Sequence, residues 1–343
     1  MATESLPLVS VVTPCYNAAS FLAETIESVL AQGYPRLEYI VVDDGSTDAS
    51  WSVLTNYEGK LTSLRLSQNH GGSYARNRGA ETARGEFIMF LDADDLIAPS
   101  TVAALVATAR QAPHTIAFCR WHRLRQVDGQ WLPAPAGVPL PKAGADDLAG
   151  WLTGKWVPPC GVLWRREDYE RTGGWDESLS LGDDGDLVMR ALAGGMRLAL
   201  ADGGEAYYRA HGSSRFSVSA SIYRPDQFSS QMRVLEKLTS ELGTQGRLER
   251  YAQPLGVAYH RLALLGFQVQ PELGAECLRR GEALAGKRAV SRTMVGRFLT
   301  RILGVERKER FTAALANVGI MTPRRRQIRT LSKQHRDATG SER

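Results

Sequence analysis

The sequence has few cysteines, and none of them stands in a pattern that would bind zinc or form a disulfide framework. The four cysteines are scattered over 343 residues and include no Cys-x-x-Cys pair and no Cys/His spacing. A disulfide-stapled mini-domain and a zinc-finger protein are therefore excluded. We expect reduced cysteines in a reducing compartment.

Long apolar runs are missing as well. No stretch approaches the roughly 18 apolar residues that could span a bilayer, and the N-terminal MATESLP lacks the basic and then apolar pattern of a signal peptide. With 43% hydrophobic and 23% charged residues, the composition is that of a globular protein. We expect a cytoplasmic protein whose only route to a membrane is peripheral docking on its inner face.

The charges are distributed unevenly along the chain. From residue 287 to the end, 15 Lys or Arg stand against four acidic residues, a net charge of +11, so the preceding 286 residues carry −6. Apolar residues and arginines alternate in roughly helical order over residues 292–320, as in an amphipathic segment on an anionic membrane. A helix packed on the protein with a solvated basic face fits equally well. Nucleic acid is not an expected partner, because the body is acidic and no binding motif is present.

The first 111 residues alternate between strand and helix patterns. Continuous apolar runs predict strands at 8–14, 39–42, 63–66 and 86–91. Helical spacing between them predicts helices at 18–32, 46–57, about 69–83 and 100–111. This alternation predicts a mainly parallel sheet that binds ligands at the carboxyl ends of its strands.

The later residues are less regular. We predict strands at 115–119, 160–164 and 197–201, a helix at 183–193, and a surface loop in the proline-rich stretch 132–141. Beyond residue 217 only long helical patterns remain, such as 227–242 and 248–265. The sequence therefore predicts an α/β region followed by an α-helical C-terminal region.

Three carboxylates crowd the end of the strongest predicted strand, at Asp92, Asp94 and Asp95. Like charges in a partly desolvated place repel each other, and a divalent cation such as Mg²⁺ or Mn²⁺ removes that cost while bridging to a diphosphate. A solvated turn with an N-capping aspartate explains the same residues. The cluster alone leaves both interpretations open.

Four segments together resemble the nucleotide-sugar half of glycosyltransferase family 2. They are SVVTPCYN at 10–17, VVDDGSTD at 41–48, NHGGSYARN at 69–77 and FLDADD at 90–95, and they match in order and spacing. The resemblance implies a GT-A fold: a Rossmann-like α/β domain with a mainly parallel central sheet flanked by helices. It assigns residues 1–216 to the catalytic domain, with a nucleotide-sugar half at about 7–112 and an acceptor half at 113–216. Residues 217–343 are then the α-helical extension.

The resemblance also implies roles for particular residues. Tyr16 would stack on the base, Asp44 would accept a hydrogen bond from the edge of uracil or thymine, and Arg76 would contact the base or the diphosphate unless it is a surface residue of its helix. The positions matched to nucleotide contacts are Thr13, Pro14, Tyr16, Asp44, Gly72, Arg76, Asp92 and Asp94.

By the same resemblance, Asp94 is the principal ligand of Mn²⁺ or Mg²⁺ and Asp92 supports it. His211, in the segment YRAHGSSR at 208–215, would face the metal and the diphosphate.

The catalytic base is expected further along the chain, after the segment GGWDESL at 173–179. Family members usually carry Glu-Asp where this chain has Asp183 and Asp184. We assign the base to Asp184, with Asp183 as the alternative. Acids at a helix N-terminus are also favoured by the helix dipole, so a capping cluster explains them too.

The resemblance implies an inverting, metal-dependent glycosyltransferase that moves a sugar from a nucleotide-diphosphate donor, most simply a UDP-sugar, to an acceptor hydroxyl. Bacterial polysaccharide, glycolipid or other glycan synthesis is the expected setting, and a lipid-linked acceptor would explain docking through the basic segment. The alternatives are a catalytically inactive relative that binds nucleotide sugars, and an enzyme with a small-molecule or protein acceptor. A nucleotidyltransferase is disfavoured, because its glycine-rich, lysine-containing N-terminal loop is missing.

Overall fold

The computed structural model describes residues 6–142, 144–211 and 225–286, together with the single residues 304 and 307. The predicted amphipathic segment at 292–320 and the basic segment from 287 fall outside the described residues, apart from those two positions. The second half of the YRAHGSSR segment does so as well.

The first four strands form the predicted parallel sheet, in the order β3-β2-β1-β4. The apolar runs of the strands at 9–15, 37–43 and 87–90 are buried because helices cover the sheet, as expected for parallel strands, whereas the short strand at 62–65 is largely exposed. The strands are β1 (Val9–Cys15), β2 (Leu37–Asp43), β3 (Thr62–Arg65) and β4 (Phe87–Phe90); the helices between them are α1 (Leu22–Leu30), α2 (Ser50–Thr55) and α3 (Gly72–Thr82).

The later strands extend the same sheet to the order β3-β2-β1-β4-β8-β6-β9-β5. Strand β8 runs antiparallel to both of its neighbours, whereas β6 and β9 are parallel, so parallel pairing is concentrated in the first half. The α/β fold class is confirmed. The remaining elements of this region are β5 (Leu96–Ile97), α4 (Thr101–Ala109), β6 (Thr115–Val127), β7 (Gln130–Pro135), α5 (Asp147–Leu152), β8 (Val162–Arg165), α6 (Arg166–Arg171), α7 (Asp183–Ala193) and β9 (Arg197–Arg209).

The predicted surface loop at 132–141 was wrong for residues 132–135, which belong to strand β7. This strand forms an antiparallel hairpin with β6, and the turn uses positive φ at Asp128 (49°) and Gly129 (84°). Strand β7 pairs with β6 alone, so it lies at an edge of the sheet. Proline, which cannot donate to a ladder, is tolerated there, and the prolines misled the prediction.

Helix α3 lies very close to the sheet. A Cβ atom on Gly79 would lie only 2.3 Å from Val12 Cγ1 on β1, so any larger residue would push the helix away. The first turn of α3 carries Gly72 and Arg76. The close packing at Gly79 therefore sets how near these two residues come to the ends of the strands.

Three further helices follow: α8 (Pro225–Thr244), α9 (Leu248–Val269) and α10 (Pro271–Ala285). Their buried side chains, among them Phe228, Leu238 and Tyr259, belong to the same hydrophobic core as the sheet. The domain boundary at residue 216 stays a prediction. Within the described part of the chain, none of the helices combines the length and apolar character needed to cross a membrane.

Candidate active site

Polar side chains gather at the carboxyl ends of the parallel strands. Tyr16 directly follows β1, Asp44 directly follows β2, and Asp92 comes two residues after β4. Since β2, β1 and β4 are neighbours, these side chains share one edge of the sheet.

The three predicted contacts at the end of β1 are not equally accessible. The Thr13 side chain is fully buried, and its hydroxyl lies 3.1 Å from the Tyr39 hydroxyl. Pro14 is partly buried, whereas Tyr16 is 49% exposed. Of these three, only Tyr16 presents a large part of its side chain to solvent.

Asp44 is buried, at 2% exposure, and holds the turn that leads into α3. Its Oδ1 accepts from the backbone N–H of His70 at 2.8 Å, and its Oδ2 accepts from that of Gly71 at 2.7 Å. Gly71 adopts a positive φ of 98° in this turn. Each carboxylate oxygen can accept a second hydrogen bond, so the two backbone contacts leave a lone pair on each oxygen.

Arg76 connects the two halves of the site. Its Nη2 donates to Asp92 Oδ1 at 2.6 Å, and its Nη1 donates to Asp183 Oδ2 at 3.0 Å. The guanidinium also lies 4.4 Å from the centroid of the Trp175 ring. Burial by itself would lower the pKa of Arg76, but the two aspartates outweigh burial and raise it. The arginine is thus a buried bridge rather than a surface residue of its helix.

Gly72 makes room for this bridge. A Cβ atom at position 72 would lie 3.0 Å from Arg76 Nη1, which is tighter than an ordinary contact. A side chain there would compete with the guanidinium for the same space.

The two candidate bases differ in their partners. Asp183 Oδ2 accepts from both Ser73 Oγ, at 2.8 Å, and Arg76 Nη1. Asp184 makes neither contact and lines a small cavity together with Phe90, Trp164 and Trp175. Burial, reinforced by the charge of Asp183, raises the pKa of Asp184 to about 6. A carboxylate with such a pKa is suited to accept a proton near neutral pH.

Asp94 and His211, two of the residues assigned to the metal, lie in direct contact. His211 Nε2 lies 2.5 Å from Asp94 Oδ2, and its ring contacts Phe21 and Trp131 at centroid distances of 4.9 and 5.3 Å. Among the described residues, no set of three or more His, Cys, Asp or Glu side chains forms a complete metal site. A carboxylate and an imidazole still fit a cation that takes its other ligands from diphosphate oxygens and water.

Arg209 is a residue that the sequence reasoning missed. Its side chain is fully buried; Nε donates to the backbone carbonyl of Asp94 at 2.6 Å, and Nη2 pairs with Glu24 Oε2 at 2.7 Å. Its backbone N–H donates to Asp95 Oδ1 at 2.8 Å. The guanidinium lies 4.8 Å from the ring centroids of both Phe21 and Trp131. An ionisable residue two positions before His211 was the only signal in the sequence.

Arg209→Met is expected to lower the free energy of unfolding by about 1–3 kcal/mol, because it leaves the Asp94 carbonyl without its donor. Urea denaturation measures this value. Arg125→Met is the matched control, since Arg125 is an exposed residue of β6, the neighbouring strand. We expect it to change stability by less than about 0.5 kcal/mol. Equal stability of the two variants would contradict the role given to Arg209.

Comparisons with known proteins point to one family. The model of the family "Glycosyl transferase family 2" matches residues 10–171. An uncharacterized glycosyltransferase of Nostoc sp. is 32% identical over 235 residues, covering 65% of this chain and 71% of that protein. TuaG of Bacillus subtilis, whose name assigns it to teichuronic acid biosynthesis, is 45% identical over 92 residues, covering 26% of this chain. Uncharacterized EpsJ of the same organism is 29% identical over 217 residues, covering 60% of this chain. The chain spans only 36% and 61% of the lengths of these last two relatives.

Solved structures support the fold. Residues 1–349 of S. aureus TarS in complex with UDP-GlcNAc match with a TM-score of 0.65 at 19% identity, covering 91% of this chain and 92% of that one. The same part of TarS without that ligand matches with a TM-score of 0.62. The chain therefore belongs to glycosyltransferase family 2 and has the GT-A fold, with helices packed after its α/β region.

Proposed function

We propose that the protein is an inverting, metal-dependent glycosyltransferase that uses a UDP-sugar donor. The observation that carries this proposal is the Arg76 bridge. One guanidinium binds Asp92 of the nucleotide half and Asp183, the neighbour of the candidate base Asp184. This bridge supports the proposal because it brings a residue assigned to the donor and a residue next to the assigned base within reach of one side chain.

The proton transfer is assigned to Asp184. An Asp184 carboxylate oxygen accepts the proton of the acceptor hydroxyl as the hydroxyl oxygen forms a bond to the anomeric carbon. The bond from that carbon to the diphosphate breaks on the opposite face, so the configuration inverts. Asp183 is held by Ser73 and Arg76 and is therefore less available to take the proton.

Other residues bind the donor in this account. The half-exposed Tyr16 ring is free to stack on the base, and Asp44 has lone pairs left to accept from the uracil N–H. Asp94 and His211, with Asp92 in support, would hold Mn²⁺ or Mg²⁺, which supplies positive charge beside the departing diphosphate.

The donor and acceptor classes rest on the comparisons. UDP is favoured because TarS was solved with UDP-GlcNAc and because Asp44 suits a pyrimidine with an N–H edge. The name of TuaG suggests a bacterial cell-surface polysaccharide as the acceptor, and glycolipid or other glycan synthesis is the wider class. Contact of the basic segment from residue 287 with an anionic membrane is part of the same proposal.

Thermal stabilisation by a panel of UDP-, dTDP- and GDP-sugars with Mn²⁺ tests donor binding. Only a ligand that binds the native state raises the melting temperature, by an increment that grows with the ratio of ligand concentration to Kd. We expect the UDP-sugars to give the largest shift. Asp94→Ala should lose the part of the shift that depends on Mn²⁺ while keeping the part that UDP-sugar gives alone.

No stabilisation by any member of the panel would contradict the proposal, and so would an Mn²⁺-dependent shift that survives in Asp94→Ala. The competing interpretation, an inactive relative, predicts the same binding without chemistry. Slow release of UDP from the UDP-sugar without acceptor separates the two, because only an active site transfers the sugar to water.

A further inference from the structure

Helix α8 lies directly across the beginning of α7. Gly182, the left-handed residue before Asp183, has a φ of 81°. A Cβ atom on Gly182 would lie 3.5 Å from Gln231 Cγ and 3.9 Å from Val234 Cγ2, both on α8. The turn that leads into the acid pair is thus covered by a helix from the C-terminal region.

Ser230 of α8 binds the backbone of this turn. Its hydroxyl oxygen accepts from the N–H groups of Ser180, at 3.0 Å, and Leu181, at 3.2 Å, and donates to the Leu181 carbonyl at 2.9 Å. A hydroxyl has one donor and two acceptor sites, so these contacts use all of them. Ser230 is 3% exposed, which means that water does not readily replace it.

Lys237, two turns further along α8, joins the same region by charge. Its Nζ lies 2.5 Å from Asp176 Oδ2 and 2.9 Å from Asp186 Oδ1. Asp186 is buried and also pairs with Arg190 at 2.8 Å. Asp176 follows Trp175, the ring on which Arg76 stacks. Lys237 therefore ties α7 to the turn that carries Trp175.

We propose that α8 positions the two neighbouring carboxylates Asp183 and Asp184, with Ser230 and Lys237 as the positioning residues. This inference rests on the proposed function, because it takes Asp184 as the base. Ser230 holds the backbone two and three residues before Asp183, and a small displacement there moves both carboxylates relative to the acceptor. The family model ends at residue 171, so these groups lie outside the part of the chain that it matches.

Ser230→Ala tests the proposal, and Ser240→Ala is the matched control because Ser240 is an exposed serine of the same helix. We expect Ser230→Ala to lower kcat roughly tenfold or more, within the range of about a hundredfold that a 1 Å misplacement costs. The Kd for the UDP-sugar should stay within about twofold. Ser230 touches none of the residues assigned to the nucleotide, and sites that share no contacts usually act almost independently. Ser230→Thr, which keeps the hydroxyl, should recover part of kcat.

Hydrogen exchange supplies a readout that does not depend on activity. The peptide covering residues 178–186 should exchange faster in Ser230→Ala than in the native protein or in Ser240→Ala. A folded Ser230→Ala with native kcat would overturn the proposal, as would equal loss of kcat and of donor affinity. If Ser230→Ala does not fold, Lys237→Met decides by the same measurements of kcat and Kd.

The two proposals fail differently. If the native protein transfers no sugar from any donor, the proposed function fails, whatever the variants do. If the native protein is active, Asp184→Asn is inactive, and a folded Ser230→Ala matches Ser240→Ala, then only the role of α8 fails.

Discussion

Asp184→Asn is expected to lower kcat by about 10²–10⁴-fold, the range for loss of a general base. The amide keeps the size of the side chain but cannot take the proton of the acceptor hydroxyl. The Kd for UDP-sugar should change little, because Asp184 is not among the residues assigned to nucleotide contacts and lines a cavity with Phe90 and Trp175. Steady-state kinetics with calorimetry measures both quantities.

Asp183→Asn is the informative companion to this variant. Asp183 is engaged by Ser73 and Arg76, so its amide should reduce kcat through altered positioning and by a smaller factor. If Asp183→Asn abolished transfer while Asp184→Asn stayed active, the assignment of the base would be reversed.

The pH dependence follows from the raised pKa of Asp184, which is about 6. The carboxylate is the active form, so kcat should fall as the pH drops through about 6 and level off above it. The raised pKa also makes the free energy of unfolding depend on pH. The folded protein favours the protonated Asp184 carboxyl, so this contribution to stability is fully present below the ordinary pKa of 3.8 and is lost as the pH rises through about 6.

Arg76→Met is the second variant with a large expected effect. It removes the donor to both Asp92 and Asp183. Removing one partner of a buried ion pair lowers the free energy of unfolding by about 3–5 kcal/mol. We expect kcat/KM for the donor to fall roughly a hundredfold, which corresponds to about 2.7 kcal/mol. The positive charge of Arg76 also lowers the pKa of Asp184, so its loss should move the acid limb of kcat to higher pH.

Arg78→Met is the matched control for Arg76→Met. Arg78 lies on the same helix, but it is more exposed and pairs with Glu81 and Glu177 instead of the two site aspartates. Arg78→Met should leave the acid limb of the kcat–pH profile at its native pH. An unshifted pH profile in Arg76→Met would show that the bridge does not influence the base.

The parallel half of the fold was predictable because its signals are local. The apolar runs that form β1, β2 and β4 are bounded by polar clusters, and buried parallel strands require such runs. Helix α7 was predicted with its observed bounds, Asp183–Ala193. Its acidic first turn, apolar spacing and following Gly194 and Gly195 all lie within one short stretch of sequence.

The rest depended on contacts between distant residues. Strands β6 and β9 each run eight residues further than predicted, because their later residues are polar and gain strand structure only by pairing with each other and with β7. In the site, the bond from Arg209 to Asp94 spans 115 residues, and Ser230 binds a turn about 50 residues away. No local pattern in the sequence predicts either of these two contacts.

The Arg76 bridge shows where the sequence was suggestive but incomplete. The resemblance placed Arg76 near the nucleotide and Asp183 beside the base, but it did not connect them. The structure joins them at 3.0 Å, which favours Asp184 over Asp183 as the group that takes the proton. The motif had already favoured Asp184, and the contacts of Asp183 supply an independent geometric reason for the same assignment.

The stereochemistry of transfer tests the central claim most directly. The claim is a single displacement in which Asp184 activates the acceptor and no covalent enzyme intermediate forms. The measurement is the coupling constant of the anomeric proton in the product, determined by NMR. The donor is an α-linked UDP-sugar, and the acceptor is any compound to which the enzyme transfers the sugar. The account predicts a β-linked product, whereas an α-linked product would contradict it.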